Sequence, residues 1–545
     1  MTEKQRVRVK AGSSPAPSVR PQGLPSQPRA RAAYMRDTQS GVIAARPASL
    51  REHRDEIRRV WTRAAGLAMD MLQNSGKLRG AADQILADTV GVELALNPKP
   101  DLTRFGYSQK EAIEWVRLVK AKHKVWAWNP LECDLRAKLT NPQQTDIGLR
   151  NWLAFGESTG VIVYLPRSQR LPGTRTGTKF LVFTPSKLVQ DTNEIEGLYQ
   201  GVVHDAYHRP IAYRCEERRD GLTIKRDYAA RDIEGRPMFM HAFDPFTAED
   251  VRGISPLAPT FRKFLMAENS DDATAQLLFL QTIYSIIIKS EKPSAEAFEF
   301  LENLDSLGAT SAKEVAGDVL DYFKAQLDRA AESEIKMGPG FSGVSHLAPG
   351  EDLEFKNISG VGPDTKAFLA KLDREVARAL SMSYGGYTLD YTDASYASTN
   401  MENSSLWPIA QRRTDRIAAP HVLLPYESWL DEMIEEGEIP FKGGADVYRA
   451  NRNAIQYAIC HGPSKPTADD EKRANAASER LANGTSTLEA ECAELGQDPE
   501  EVFESRARWD ARYKEAGMQS PFERGFGSRP SATQQNDNQR QKQKA

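Results

Sequence analysis

Apolar residues recur along the chain at two spacings, one typical of helices and one typical of strands. From Leu50 to Leu86 they recur at steps of three and four residues, which predicts a helical segment. A second helix is predicted from Ser108 to His123, because Ser108 and Glu111 have the spacing of a capping box. Short runs rich in β-branched and aromatic residues then predict strands at 160–165, 179–183, 201–205 and 210–213. The last two runs are expected to pair as a hairpin.

The second half of the chain is mainly helical by the same criterion. Ser255 followed by Pro256 is predicted to begin a helix that continues to Leu280. Further helices are predicted at 314–331, 365–382, 398–436 with kinks or breaks at Pro408, Pro420 and Pro425, 468–482, 487–495 and 498–517. The sequence therefore predicts an α+β protein.

The helix predicted at 365–382 has two distinct faces. Five apolar residues share one face at a period of 3.6 residues: Phe368, Leu369, Leu372, Val376 and Ala379. Lys371, Arg374 and Arg378 lie together on nearly the opposite face. This basic stripe is either the solvated side of an amphipathic helix or a surface that faces phosphate groups.

A loop rich in tyrosine and glycine is predicted from Ser383 to Ala397. It contains Tyr384, Gly385, Gly386, Tyr387, Asp390, Tyr391 and Tyr396. The two glycines give the backbone freedom. The tyrosines either pack into the core or project outwards, where they could contact nucleic acid.

Composition narrows the class of protein. The chain has 545 residues, of which 40% are apolar and 27% charged, and its net charge is −3, so no global charge indicates nucleic acid. Residues 1–39 and 521–545 are polar and basic without apolar periodicity, and both are predicted to be disordered. The longest apolar run, Leu277 to Ile288, is shorter than the roughly 20 residues of a membrane span.

No motif for catalysis, metal binding or cofactor binding is present. The segment Gly173 to Phe180 lacks the spacing of a nucleotide-binding P-loop. The four cysteines form no CxxC pair, and His204 and His208 fall on a predicted strand and turn, where a spacing of four does not bring side chains together. The sequence therefore predicts a protein that is not an enzyme, although a paired-carboxylate nuclease site stays open.

Several stretches, in order, resemble the lambda-type portal family of tailed bacteriophages. They are Glu196 to Tyr213 with Arg209-Pro210, His241 to Phe243, Val251 to Pro259, Met337 to Gly340 with Leu347 to Glu351, Phe368 to Ser383 with Asp390-Tyr391 and Ser395 to Ser398, Trp429 with Gly437, and Gly462-Pro463 through Glu501. The resemblance covers roughly residues 40–520. Asp250 stands where the family usually has Gln, Ser395-Tyr-Ala-Ser398 replaces Asn-Tyr-Ser-Ser, and a usual Trp is missing near Cys460-His461.

The resemblance implies a ring-forming portal fold, with a mixed α/β wing, a helical stem, a small α/β clip and a helical crown. By order of elements, the wing is expected at 40–253 and 398–460, the stem helices at 254–290 and 363–383, the clip at 291–362 and the crown at 461–520. Residues 384–397 would be the tunnel loop. The basic stripe at Lys371, Arg374 and Arg378 would then line the channel.

The function that the resemblance implies is a conduit at one capsid vertex, through which double-stranded DNA is packaged and ejected. Its implied partners are further copies in a dodecameric ring, the large terminase subunit, the major capsid protein and the head-completion proteins, with no membrane. The implied location is the virion, after assembly in the bacterial cytoplasm. Two alternatives stay open, a terminase-like nuclease or ATPase and another minor head protein.

Overall fold

The computed structural model describes residues 52–287, 363–392, 394–467 and 469–521. Its longer helices, numbered in chain order, are α1 (His53–Asn74), α2 (Gly76–Thr89), α3 (Gln109–Trp128), α4 (Pro130–Cys133), α5 (Asn141–Phe155), α6 (Phe261–Ile287), α7 (Pro363–Leu380), α8 (Tyr384–Thr388), α9 (Tyr396–Arg413), α10 (Pro420–Glu435), α11 (Gly444–Ala450), α12 (Arg452–Ile455), α13 (Asp470–Ala482), α14 (Leu488–Glu494) and α15 (Pro499–Glu515). The strands are β1 (Ala95–Pro98), β2 (Glu157–Tyr164), β3 (Thr178–Phe183), β4 (Leu198–Tyr199), β5 (Val202–His204), β6 (Pro210–Arg219), β7 (Leu222–Ala229), β8 (Phe239–Phe243) and β9 (Ala458–His461).

The mixed α and β character predicted from the sequence is confirmed. Four predictions concern other residues: the arm at 1–39, the helix at 314–331, the clip at 291–362, and the tail at 521–545 apart from its first residue lie outside the described residues. No helix of the described residues is long and apolar enough to cross a bilayer.

Three helix starts with a local capping signal lie where the sequence predicts them. The Ser108 hydroxyl accepts from the backbone N–H of Glu111, and the Glu111 carboxylate accepts from that of Ser108, so the predicted capping box is confirmed. Thr487 and Asp498 likewise cap α14 and α15. These side chains satisfy N–H groups that have no partner within a helix, which fixes each start independently of distant packing.

Three helix boundaries differ from the prediction. The segment 50–86 is two helices, because Ser75 accepts from the N–H of Leu78 and starts α2. Helix α6 begins at Phe261 rather than at Pro256, since Ser255, which accepts from the N–H of Leu257, caps only a short turn that precedes the helix. The segment 398–436 stays helical through Pro408 and Pro425, and its regular α-helix is interrupted at 414–418 by a π-helical turn, after which Pro420 begins α10 as one of the three predicted break points.

Three antiparallel sheets occur in the described residues. One has the order β3-β2-β8, a second the order β4-β5-β6-β7, and β1 pairs with β9. Val202 and Val203 pair with Tyr213 and Ala212, which confirms the predicted hairpin. His204 ends a strand and His208 lies in the turn with a φ of 59°. No group of metal-binding side chains occurs within the described ranges.

The largest apolar cluster joins elements that are far apart in sequence. It contains residues of α1, α2, α5, α6, α7 and α8, and of the π-helical turn. Leu78 of α2, Phe264 of α6 and Val376 of α7 are each at most 2% exposed within it. Helices α6 and α7 are therefore packed on the same core as the helices that precede the sheets.

A buried ion pair fixes the point at which the chain leaves the sheets for α6. The Glu157 carboxylate, at the start of β2, accepts from Arg252 Nε at 2.7 Å, from Gly253 N–H at 3.1 Å, and contacts His241 Nε2 at 2.9 Å. Glu157 and Arg252 are both fully buried, and Arg252 lies over the ring of Trp61. A Cβ atom on Gly253 would lie 2.1 Å from the carbonyl oxygen of Gly156, so the two backbones cross in contact.

We predict that Arg252→Met destabilises the fold by about 3–5 kcal/mol, because it leaves the Glu157 carboxylate buried without its counter-ion. The free energy of unfolding from urea titration, followed by tryptophan fluorescence, measures this. Arg214→Met is the matched control, since the ion pair between Arg214 and Asp227 is partly exposed and its loss should cost at most about 1 kcal/mol. Equal effects of the two substitutions would contradict the prediction.

The same ion pair predicts a pH dependence. Burial by itself raises the pKa of Glu157, but the Arg252 charge and the His241 hydrogen bond outweigh burial and lower it to about 2. The stabilisation is therefore fully present above the usual pKa of 4.5 and is lost as the pH falls from there towards 2. Between pH 4.5 and about 2, the urea concentration at the unfolding midpoint should fall more steeply with decreasing pH for the wild type than for Glu157→Gln. Parallel plots of midpoint against pH would show that the Glu157 ion pair is not the source of the pH dependence.

Candidate nucleic-acid interface

Helices α6 and α7 pack against each other and carry the predicted basic stripe. Leu372 and Val376 of α7 are buried as predicted, at 2% and 1% exposure, but Phe368 is 47% exposed and Ala379 is also exposed. The buried face instead continues through Asp373, Ala377 and Leu380. The predicted apolar face was therefore wrong at its flanks, because the helix is rotated towards Asp373 by its contacts with α2 and α6.

The basic stripe lies on the side of α7 that faces away from the core. Lys371, Arg374 and Arg378 are all exposed and share that side, as the sequence predicted. Arg374 lies with its guanidinium 4.6 Å from the centre of the Tyr384 ring, in a cation–π contact. Among the described side chains, no carboxylate forms an ion pair with Lys371 or Arg378. These two cations thus remain available to an anion from outside the subunit.

The C-terminal end of α7 is tightly capped. Ser381 has a left-handed φ of 56°, and the N–H groups of Ser381 and Met382 donate to the carbonyls of Arg378 and Ala377. This is a Schellman motif, which satisfies the last carbonyls of a helix. Arg413 of α9 also donates to the carbonyl of Leu380, and its guanidinium lies 5.4 Å from the Trp152 ring.

Arg413 places a buried cation at the negative end of the α7 dipole. Burial lowers the pKa of Arg413 to about 10, with a smaller effect from neighbouring Arg412, so the guanidinium still carries its charge at neutral pH. The C-terminal end of α7 is thus held by a residue of α9.

The predicted loop is partly helical. Residues Tyr384–Thr388 form α8, which Ser383 caps by accepting from the N–H of Gly386, so the prediction of a loop was wrong for these five residues. Tyr387 is only 4% exposed and packs into the main core. Burial raises the pKa of Tyr387, and Asp373 raises it further.

The remainder of the predicted loop is exposed. Leu389 has a φ of 57° and is 75% exposed, and Asp390 and Tyr391 follow it at the surface. The Tyr391 ring lies against Gly385, where a Cβ atom would be 2.4 Å from the ring. Asp390 accepts from the N–H of Thr392 at 3.0 Å, which closes a turn. Tyr396 begins α9, and its side chain lies outside the described part.

The sequence thus located the exposed cations but missed the residues that position them. Asp373, Lys77 and Arg413 were not identified as part of the site. Asp373 interrupts the apolar face of α7, and a carboxylate at such a position indicates a buried partner. No local sequence pattern identifies Lys77 as the partner of Asp373, or Arg413 as the partner of the last turn of α7. Both residues are distant from α7 in sequence and contact it only through the tertiary fold.

Comparison with known proteins decides the family. The model for the lambda family of phage portal proteins matches residues 40–413, which include α6, α7, α8 and the exposed cations. The chain belongs to this family. Portal protein B of Escherichia phage lambda is 23% identical over 476 residues, covering 85% of this chain and 86% of the relative. The portal protein of Escherichia phage N15 is 22% identical over 481 residues, with the same two coverages.

Solved structures similar to the chain come from gene transfer agent particles. The neck of the native particle, computed with C12 symmetry, is 13% identical with a TM-score of 0.27, covering 76% of this chain and 98% of the other. A chain of the native virion is 14% identical with a TM-score of 0.26, covering 64% and 86%. The family resemblance stated from the sequence is therefore confirmed by the family match and by the phage relatives.

Two departures from the usual family pattern have local explanations. Ser395, where the family commonly has Asn, caps α9 by accepting from the N–H of Ser398, and either residue type suits that position. Asp250, in place of Gln, accepts from the N–H groups of Phe246 and Thr247 and contacts His53. Each of the two residues thus has a defined structural role in this chain.

We predict that Tyr387→Phe leaves the free energy of unfolding unchanged or raises it by about 1 kcal/mol, since the buried Tyr387 hydroxyl has no hydrogen-bond partner among the described residues. Tyr448→Phe is the control. Its hydroxyl donates to Asp431 at 2.5 Å and accepts from Gln456 at 2.9 Å, so this change should cost about 1–3 kcal/mol. Chemical denaturation compares the two, and a loss at Tyr387 equal to that at Tyr448 would show a hidden partner.

Proposed function

We propose that copies of this portal protein close into a dodecameric ring at one capsid vertex, and that double-stranded DNA is packaged and ejected through its bore. Family membership supports the portal role, and the arrangement of α7 supports the position of the bore. This helix buries one face in the core and leaves Lys371 and Arg378 exposed on the other, without carboxylate partners in the described residues.

The exposed cations suit a conduit rather than a reader of sequence. A genome that passes through a ring presents every sequence in turn, so contacts to base edges would hold it at preferred sites, whereas contacts to phosphate are the same everywhere. Each cation would be repeated in every subunit, and the local potential would rise accordingly. A net charge of −3 for the whole chain is consistent with weak attraction confined to this surface.

The remaining parts are assigned by their order along the chain. We assign the wing to 40–253 and 398–460, the stem to 254–290 and 363–383, the clip to 291–362 and the crown to 461–520. The segment 384–397 is the proposed tunnel loop, of which 389–392 is the exposed part described above. In this arrangement Arg374, stacked on Tyr384, orients the start of the tunnel segment, while Lys371 and Arg378 face the DNA.

The proposed partners follow from the same role. The clip docks the large terminase subunit during packaging and head-completion proteins afterwards, while the wing contacts the major capsid protein. The protein acts in the virion after assembly in the bacterial cytoplasm. Hydrolysis of ATP belongs to the terminase motor, and this chain supplies the channel without catalysing a reaction.

We predict that Lys371→Glu with Arg378→Glu leaves ring assembly intact and reduces the yield of packaged DNA by about tenfold or more, since phosphate attraction becomes repulsion in every subunit. DNase-protected DNA per assembled head is the measurement. Arg59→Glu with Arg63→Glu, the same charge change on the exposed side of α1, is the control and should package normally. Normal packaging by the α7 variant would remove this helix from the channel.

Negative-stain microscopy of the purified protein tests the ring itself. A hollow annulus with a bore wide enough for duplex DNA is expected. Monomers, or closed particles without a central hole, would refute the proposed function whatever the packaging assay shows.

A further inference from the structure

We propose that Lys77 is a positioning residue for the channel segment, defined here as residues 384–392. Lys77 belongs to α2, which precedes the sheets, and lies about 300 residues before this segment in the chain. Its ammonium joins both stem helices at the point where α8 packs. This inference rests on the proposed function, because it concerns how the channel surface is held in place.

The contacts of Lys77 converge on two helices. Lys77 Nζ lies 3.1 Å from both carboxylate oxygens of Asp373 in α7, and 3.9 Å from Asp271 Oδ2 in α6. Asp373 is on the buried face of α7, where its residue is 9% exposed. A carboxylate at this depth requires a counter-charge, and among the described residues Lys77 is the cation within ion-pair distance.

The channel segment is attached at the same point. Tyr387 of α8 shares its apolar cluster with Leu78, the residue next to Lys77, and with Val376 of α7. Burial raises the pKa of the Tyr387 hydroxyl, and the charges of Asp373, Glu268 and Asp271 raise it further. The ammonium of Lys77 and the carboxylates of Asp373 and Asp271 thus join α2, α6 and α7 beside the apolar cluster that holds α8.

Loss of the ammonium would disturb this joint in a defined direction. Asp373 and Asp271 would repel each other without the cation between them, and Asp373 would lack a partner. The repulsion is relieved if α6 and α7 separate at this point. Because Tyr387 of α8 packs in the same apolar cluster as Phe264 of α6 and Val376 of α7, that separation displaces α8 and carries Leu389 to Thr392 with it.

A second ion pair between the stem helices provides a control. Lys263 of α6 lies 3.0 Å from Glu375 of α7, and both side chains are more than 40% exposed. This pair joins α6 to α7, as Lys77 does, but it does not include α2. Its partners also remain hydrated when the pair is broken, so its loss should matter little.

The experiment compares Lys77→Met with Lys263→Met in the full-length protein. Each carries Thr392→Cys with a nitroxide label, as does the reference protein, and the four native cysteines are left in place with their background labelling subtracted. We expect the rotational correlation time of the label to shorten by about twofold or more in Lys77→Met, since local motion on the nanosecond scale is released. Lys263→Met should match the reference.

Two further variants keep the test decisive. Asp373→Asn removes the charge that Lys77 holds and should release the label as Lys77→Met does, whereas Lys77→Arg keeps the cation and should not. An unchanged label in both Lys77→Met and Asp373→Asn would overturn the proposal, as would equal release in Lys263→Met. Failure of both variants to fold would also overturn it, since Lys77 would then support the whole fold.

The label reports independently of DNA, so the two proposals can fail separately. A more mobile label in Lys77→Met, together with normal DNA packaging by that variant, would support the positioning role and refute the channel role of residues 384–392. An unchanged label in Lys77→Met, together with loss of packaging by Lys371→Glu with Arg378→Glu, would refute the positioning role and support the proposed function.

Discussion

The buried carboxylate of Glu157 holds the chain at the point where it leaves the sheets for α6. It binds the side chain of Arg252 and the backbone of Gly253, only eight residues before α6 begins at Phe261. The backbones of Gly156 and Gly253 are in contact there, and no larger residue fits at either position. A buried ion pair of this kind stabilises a fold only while both partners are present. The path of the chain from the sheets into α6 is therefore fixed at this junction, eight residues before the helix begins.

The charged residues on the two sides of α7 have different surroundings. On the core side, Lys77, Asp373 and Arg413 are partly or largely buried and each has a partner: carboxylates for Lys77, and the end of α7 for Arg413. Towards the outside, Lys371 and Arg378 have no carboxylate partner among the described residues. Paired charges are already satisfied and serve to hold α7 in place, whereas unpaired and solvated charges can attract a passing polyanion. The surroundings of a cation, rather than its residue type, therefore decide which of the two roles it takes.

Several structural features that depend on local interactions were predicted correctly from the sequence. The capping box at Ser108 and the caps at Thr487 and Asp498 depend on residues two or three positions apart, the hairpin near His204 joins neighbouring strands, and all were confirmed. The failures have two causes. Phe368 and Ala379 have the right period for the core, but the buried face of α7 lies towards Asp373, which contacts Lys77 of α2, and such long-range contacts override local propensity. The break at Ser75 and the short helix after Ser383 are instead made by local caps that the apolar periodicity does not mark.

The partial burial of the proposed tunnel segment limits how it can work. A loop anchored only at its ends would yield to any DNA surface that pressed on it, and its resistance would be mainly entropic. Here Tyr387 is inserted in the same core as Val376 and Leu78, so the exposed part from Leu389 to Thr392 starts from a fixed support. Leu389 holds a left-handed backbone conformation that a side chain with a Cβ atom rarely adopts, and such strain persists only where the surroundings impose it. A short, supported projection can contact DNA without being swept along by it, which is the mechanical property that a passage for an entire genome requires.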